Sequence, residues 1–212
     1  MATTKGLGFI NVRAFVSERY GAPAWQALLD GFPPADRMVL ASIVSIGWYE
    51  LALYARLIRA ADARFGSGSL KLCYALGRFE AERDLTTVHQ WLLKLFGPAT
   101  AIEQLGKYWR RFHDTGEWMT ERRGDREVLA RLTGWAVDAA LCRELLGYIG
   151  RTLELLGGRD IHLEHSRCRA QNEPVCEFHL RWRTPVEARE AGGSGELPPW
   201  MPPPTGQHGP AR

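Results

Sequence analysis

No run of five or more like charges occurs in this chain, and its formal charge over 212 residues is only +3. Nothing in it demands a nucleic-acid or anionic membrane surface, so neither partner is expected. A long apolar run is missing as well. The most apolar stretch, Met38 to Leu53, is interrupted by Ser42, Ser45, Gly47 and Glu50 and falls short of the ~20 residues that span a bilayer. The start, Met1-Ala-Thr-Thr-Lys-Gly, has no charged segment leading into an apolar one, which predicts a cytoplasmic protein without a secretory signal. Cysteine is scarce, at four residues. In a reducing compartment these are expected to be buried thiols or metal ligands rather than disulfides. The common catalytic signatures are absent too: no Gly-x-Ser-x-Gly, no phosphate-binding loop, no dinucleotide fingerprint. His113-Asp114 reads as an acid–base pair, but no nucleophile or oxyanion device accompanies it, and sequence neighbours point in different directions. The chain is therefore expected not to be an enzyme.

What is present is an ordinary globular composition, 45% hydrophobic and 24% charged, enough for one sizeable core. The first hundred residues read as helices. Val12, Phe15, Val16, Tyr20, Trp25, Leu28 and Leu29 recur at three- and four-residue spacings, Pro33-Pro34 ends that unit, and Val39 to Ala63 predicts a buried helix or helix pair. Leu70–Glu82, Leu85–Phe96 and Ala99–Tyr108 complete the helical half. After Phe112 the pattern changes to a hairpin around Gly124-Asp125, an amphipathic helix from Asp138 to Leu156 closed by Gly157-Gly158, and a second hairpin, Asp160–Cys168 with Cys176–Trp182. The predicted class is α+β: an N-terminal helical half, then a β-β-α-β-β half with a four-stranded antiparallel sheet. Residues 1–182 are expected to form a single ligand-binding domain. From Arg183 onward the chain is Gly- and Pro-rich, with seven of the twelve prolines, and residues 183–212 are expected to be a disordered tail. Within it, Pro198-Pro-Trp-Met-Pro-Pro-Pro204 is a candidate docking segment for a protein partner, anchored by Trp200.

Cys168 and Cys176 flank the last hairpin. Cys176, Phe178, Leu180 and Trp182 alternate and so mark the buried face of the final strand. Ile161, Leu163 and His165 read as the inward set of the strand before it, which would leave Cys168 outside. One extra residue at Ser166-Arg167, a β-bulge, returns Cys168 to the inside beside His165. On the covering helix Cys142 shares a stripe with Leu145, Leu146 and Ile149. Cys142, His165, Cys168 and Cys176 could then converge as a tetrahedral zinc site, with Glu164 as the fourth ligand if the bulge is absent. The competing reading is that the thiols are simply small buried hydrophobes.

The spacing Cys142-x25-Cys168-x7-Cys176, ending in Cys-Glu-Phe-x-Leu, resembles the end of 4-vinyl-reductase domains. In phenol-responsive bacterial activators such a domain holds a structural zinc through similarly spaced cysteines and an acidic residue, and here His165 stands where that residue is expected. The opening, Gly6-Leu-Gly-Phe-Ile-x9-Tyr20-Gly-x3-Trp25-x2-Leu28-Leu29, resembles that of haem-NO-binding (H-NOX) domains. The two families and certain Golgi-tethering subunits share one ligand-binding fold, and an uncharacterised paralogous family of myxobacteria is similar as well. The resemblance runs over about Gly6 to Trp182. It implies a bacterial sensory or signalling module, with zinc as a candidate cofactor and a homodimer as a candidate assembly.

H-NOX domains hold haem through a helix histidine and a Tyr-x-Ser-x-Arg strand. The matching positions are His89 and Trp118-x-Thr120-x-Arg122, where Trp118 replaces the tyrosine and Thr120 the serine. Haem is accordingly expected to be absent, and a haem-based gas sensor using His89 is the alternative. An apolar pocket for a small apolar or aromatic ligand is expected instead, lined by Trp48, Tyr74, Trp91, Trp109 and Phe112. The third reading is a protein-interaction adaptor with a collapsed pocket.

Overall fold

The computed structural model describes residues 1–88, 96–135 and 138–190. The helical half comprises α1 (Gly6–Tyr20), α2 (Ala22–Leu29), α3 (Pro34–Ala41), α4 (Leu51–Phe65), α5 (Lys71–Arg83) with a π-helical extension over Asp84–Val88, and α6 (Pro98–Phe112). The second half is β3 (Glu117–Gly124), β4 (Glu127–Thr133), α7 (Ala139–Leu155), β5 (Arg159–Arg167) and β6 (Cys176–Arg183), followed by a short α8 (Pro185–Glu190). The four strands form one antiparallel sheet in the order β3-β4-β6-β5. The α+β class and the β-β-α-β-β order are those the sequence predicts.

Two departures stand out. A two-stranded ribbon, β1 (Thr3–Lys5) with β2 (Trp48–Glu50), splits the stretch expected to be one long helix or helix pair. Gly47 and Tyr49 account for the break: a Cβ on Gly47 would lie 2.7 Å from the Tyr49 ring, and the Tyr49 hydroxyl accepts from the Val44 amide at 2.9 Å. The second departure is at the C-terminal boundary. Arg183 still pairs with Arg159 across the sheet, and the six residues of α8 dock through an Arg126–Glu187 ion pair at 2.8 Å. The described strand and helix thus run past 182, while the proposed Trp200 segment lies outside the described residues.

One helix–helix contact organises the interior. A Cβ on Gly77 of α5 would fall 1.8 Å from the Glu144 carbonyl oxygen, and one on Gly147 of α7 would fall 2.0 Å from that of Tyr74. The two backbones touch reciprocally, which only glycine allows. Asp62 of α4 caps α5 by accepting from the Leu70 and Leu72 amides, both at 2.9 Å. Asp138 caps α7 by accepting from the Ala140 amide at 2.8 Å, and Arg59 ties that cap to α4. The other side of α7 lies on the sheet, where Leu141, Ile149 and Leu153 meet Val128, Leu132, Phe178 and Leu180 in one core.

Candidate functional site

The sheet face of α7 and the final hairpin build the first site. Between His165 and Arg167 the register slips by one residue: His165 faces Phe178, Arg167 faces Glu177, and Ser166 is the extra residue. This is the bulge the alternation requires. It puts His165 and Cys168 on one side with Cys176, while Glu164 stays exposed on the other. The Cys142 sulfur lies 3.8 Å from that of Cys176 and 3.8 Å from that of Cys168. All four candidate ligand atoms of Cys142, His165, Cys168 and Cys176 lie within 4.8 Å of one another.

A tetrahedron of sulfurs at the ~2.3 Å zinc–thiolate distance has edges of about 3.8 Å, so these spacings fit a liganded set as well as hydrogen-bonded thiols. Two further details fit the metal. The His165 Nε2 is buried without a hydrogen-bond partner, and its ring is fixed by stacking on Phe178 at 4.5 Å. The Arg169 amide points at the Cys176 sulfur from 3.5 Å, as an amide does toward a thiolate. Donation from the Cys142 thiol brings Cys176 down to about 4 against the opposing effect of burial, and the same contact pushes Cys142 up. Cys73 takes no part. It is buried on α5, directs its thiol at the Ile58 carbonyl, and is pushed up to about 12, chiefly by burial.

The opposite face of α7 borders a cavity of about 330 Å³ between the helical half and the sheet. Its walls are largely apolar: Leu7, Leu85, Leu105, Trp109, Trp118 and Leu145 among others. Of the pocket residues expected from sequence, Trp109 and Phe112 line it. Trp48 does not. It sits 46% exposed on β2 under the Lys5 ammonium at 4.0 Å, because the unforeseen ribbon carries it to the surface. Tyr74 is also elsewhere, wedged between α5 and α7 with its hydroxyl over Gly150. Trp91 lies outside the described residues.

The part of the lining that sequence reasoning missed is polar. Glu80 and Asp84 from α5 and its extension, Glu144 and Tyr148 from α7, Tyr54 from α4 and Asn11 from α1 all border the cavity. The Tyr54 hydroxyl donates to Glu80 at 2.9 Å and the Asn11 amide donates to Asp84 at 3.1 Å. Glu144 and Tyr148 are half-buried, and both border the cavity. Burial raises all three carboxyls, with Asp84 reaching about 6, and Glu80 and Glu144 are hydrogen-bonded to each other. The signal was legible in principle: Glu80 stands among Leu76, Gly77 and Ala81, and Glu144 between Leu141 and Leu145, acids on otherwise apolar helix faces.

Of the expected haem residues, two lie away from this cavity. Trp118 lines it, donating its indole N–H to the Ile102 carbonyl at 3.2 Å, but Thr120 is only half-buried and Arg122 is exposed, and neither borders it. Residues Trp118, Thr120 and Arg122 do share a strand face, but burial falls along it from Trp118 to the exposed Arg122. His89 lies outside the described residues.

Among the described residues, no helix is long and apolar enough to cross a membrane. No protein-family model matches the sequence, and no curated protein does. The fold, in contrast, has clear counterparts. An H-NOX protein from Shewanella oneidensis in its Fe(II)NO state superposes with a TM-score of 0.69 at 16% identity, over 85% of this chain and 99% of that one. The H-NOX domain from the same organism in its Fe(II)CO state gives 0.70 at 15%, over 84% and 98%. The unliganded Fe(II) H-NOX protein from K. algicida gives 0.67 at 12%, over 86% and 98%. The chain has the fold of H-NOX domains.

Proposed function

We propose that this chain is a non-enzymatic sensory or regulatory module that binds a small organic ligand in the cavity beside α7 and carries a structural zinc at Cys142, His165, Cys168 and Cys176. The observation that carries the reading is the cavity itself: apolar-walled, with a few convergent polar groups, at the junction of two halves of the fold. The resemblance to 4-vinyl-reductase domains supports the same use of the fold. When bound, zinc would supply folding energy rather than chemistry, since four protein ligands leave no open position. Helix α7 connects the two sites. It presents Cys142 to the hairpin and Leu145 and Tyr148 to the cavity, so a ligand that shifts α7 would be resisted, or relayed, by the metal-anchored end. Ala101, buried on α6, borders the cavity. Small aromatic compounds should bind with measurable heat, and Ala101→Trp, which fills the cavity, should abolish that heat while zinc content stays at one per chain. Equal binding by the filled variant would contradict the reading.

A haem-based gas sensor using His89 is the second reading, supported by the likeness to H-NOX structures. A Soret band in the purified protein that disappears in His89→Ala would establish it in place of the first. A protein-interaction role, through the Pro-rich segment or as a homodimer, is compatible with either reading.

A further inference from the structure

We propose that the cavity is selective for an organic cation with an aromatic or apolar body, its ammonium held by Glu80 and Asp84 with the phenols of Tyr54 and Tyr148 beside them. This rests on the cavity reading above and narrows its ligand class. Carboxyl groups are among the side chains least often buried, and an unpaired buried carboxylate is costly. Here three sit around one enclosed space, drawn together by the Gly77–Gly147 contact, which places Glu80 and Glu144 one turn to either side. Among the described residues no arginine or lysine pairs with Glu80 or Glu144; the two cations that border the cavity, Lys5 and Arg111, are engaged by the Ile46 carbonyl and Trp48 ring and by the Tyr108 ring. Their described hydrogen-bond partners are each other and Tyr54.

The site is not that of a metal ion. Among the described residues, the one group of side chains gathered tightly enough for a metal is the Cys/His set on the other face of α7. The carboxyls are instead spread along a wall, as suits a cation attached to a larger body. The rest of the lining fits that body. Trp109 and Trp118 lie near parallel with ring centroids 6.0 Å apart, and Trp135 meets Trp109 edge-on at 5.2 Å. These faces attract cations as well as apolar groups.

Independent of the acids, the cavity carries polar atoms with no protein partner. The Trp135 indole N–H and the His113 Nδ1 are buried and unsatisfied, and both residues line it. Buried polar groups in folded proteins are nearly always paired, so these two orphans beside one cavity point to an occupant there. His113 does not compete as a cation, because burial brings it down to about 4. Asp84, at about 6, remains ionised at pH 7.5, whereas burial raises Glu80, so a bound ammonium must draw Glu80 into its ionised form.

The test compares 2-phenylethylamine with 2-phenylethanol, matched in shape and differing in charge, by calorimetric titration at pH 7.5. The amine should bind about tenfold tighter or more, and Glu80→Gln and Asp84→Asn should each erase that preference while leaving the alcohol's affinity within about twofold. Retained alcohol binding shows that each variant is folded with its cavity intact. Equal affinities in the native protein, or a preference that survives both substitutions, overturn the cation assignment and leave the cavity reading standing. Failure of both compounds to bind also overturns it, and the cavity reading then falls or stands on whether the purified protein retains another small molecule.

Discussion

At the residue scale the account turns on side chains buried against their chemical preference. Asp84 is raised from 3.8 to about 6, chiefly by burial. The folded protein therefore holds this proton more tightly than the unfolded chain, and the stabilisation is complete below pH ~4 and is lost as pH rises to ~6. A shift of this size corresponds to a loss on the order of 3 kcal/mol. Glu80 and Glu144 act in the same direction. Asp84→Asn keeps the Asn11 contact and removes the titration, so at pH 7 it should unfold at higher denaturant than the native protein, and the gap should close toward pH 4. A gap between variant and native protein that does not widen from pH 4 to 6 would contradict the burial. The same substitution is expected to weaken cation binding, a stability cost retained for function. Among the thiols, Cys168→Ser should release zinc and lower stability together, because the metal is bound only by the folded hairpin. With no metal the cost would be only that of burying one hydroxyl, ~1–3 kcal/mol. Metal analysis of both proteins beside their unfolding curves separates the two.

At the scale of elements, the β-β-α-β-β half was legible because its signals are local. Period-two alternation, the Gly124-Asp125 turn and the conflict between His165 and Cys168 together specified two hairpins and the bulge at Ser166. The β1–β2 ribbon was not legible. Three residues at the start of the chain pair with three near position 49, a long-range contact that leaves no period in either segment. Its absence from the sequence reading is why Trp48 was assigned to the pocket. The carboxyl wall was missed for a different reason: amphipathic reading treats an acid on a helix as solvent-facing, and only the α5–α7 crossing turns Glu80 and Glu144 inward. That crossing is itself testable. Gly77→Ala or Gly147→Ala would drive a methyl into a facing backbone carbonyl, which cannot rotate away as a side chain could. Each should cost about 3 kcal/mol or more, at the upper end for overpacking. A change within ~0.5 kcal/mol would mean that the helices do not touch there.

For the whole molecule, two halves meet around one cavity, and α7 is the element common to the cavity, the thiol set and the sheet. The C-terminal boundary follows from the same packing. Truncation after Glu190 should leave the melting temperature nearly unchanged. Truncation after Trp182 removes the Arg183 pairing and the Arg126–Glu187 contact, both near the surface and each worth little, and should lower it by a few degrees. At this size ~1 kcal/mol corresponds to about 2–4 °C. The central claim, an organic ligand in the cavity beside a structural zinc, is tested most directly by native mass spectrometry of the purified full chain. The expected spectrum exceeds the chain mass by one zinc ion and one small organic molecule, and the organic increment is absent from Ala101→Trp. A haem increment, or an organic increment unaffected by filling the cavity, would contradict the account.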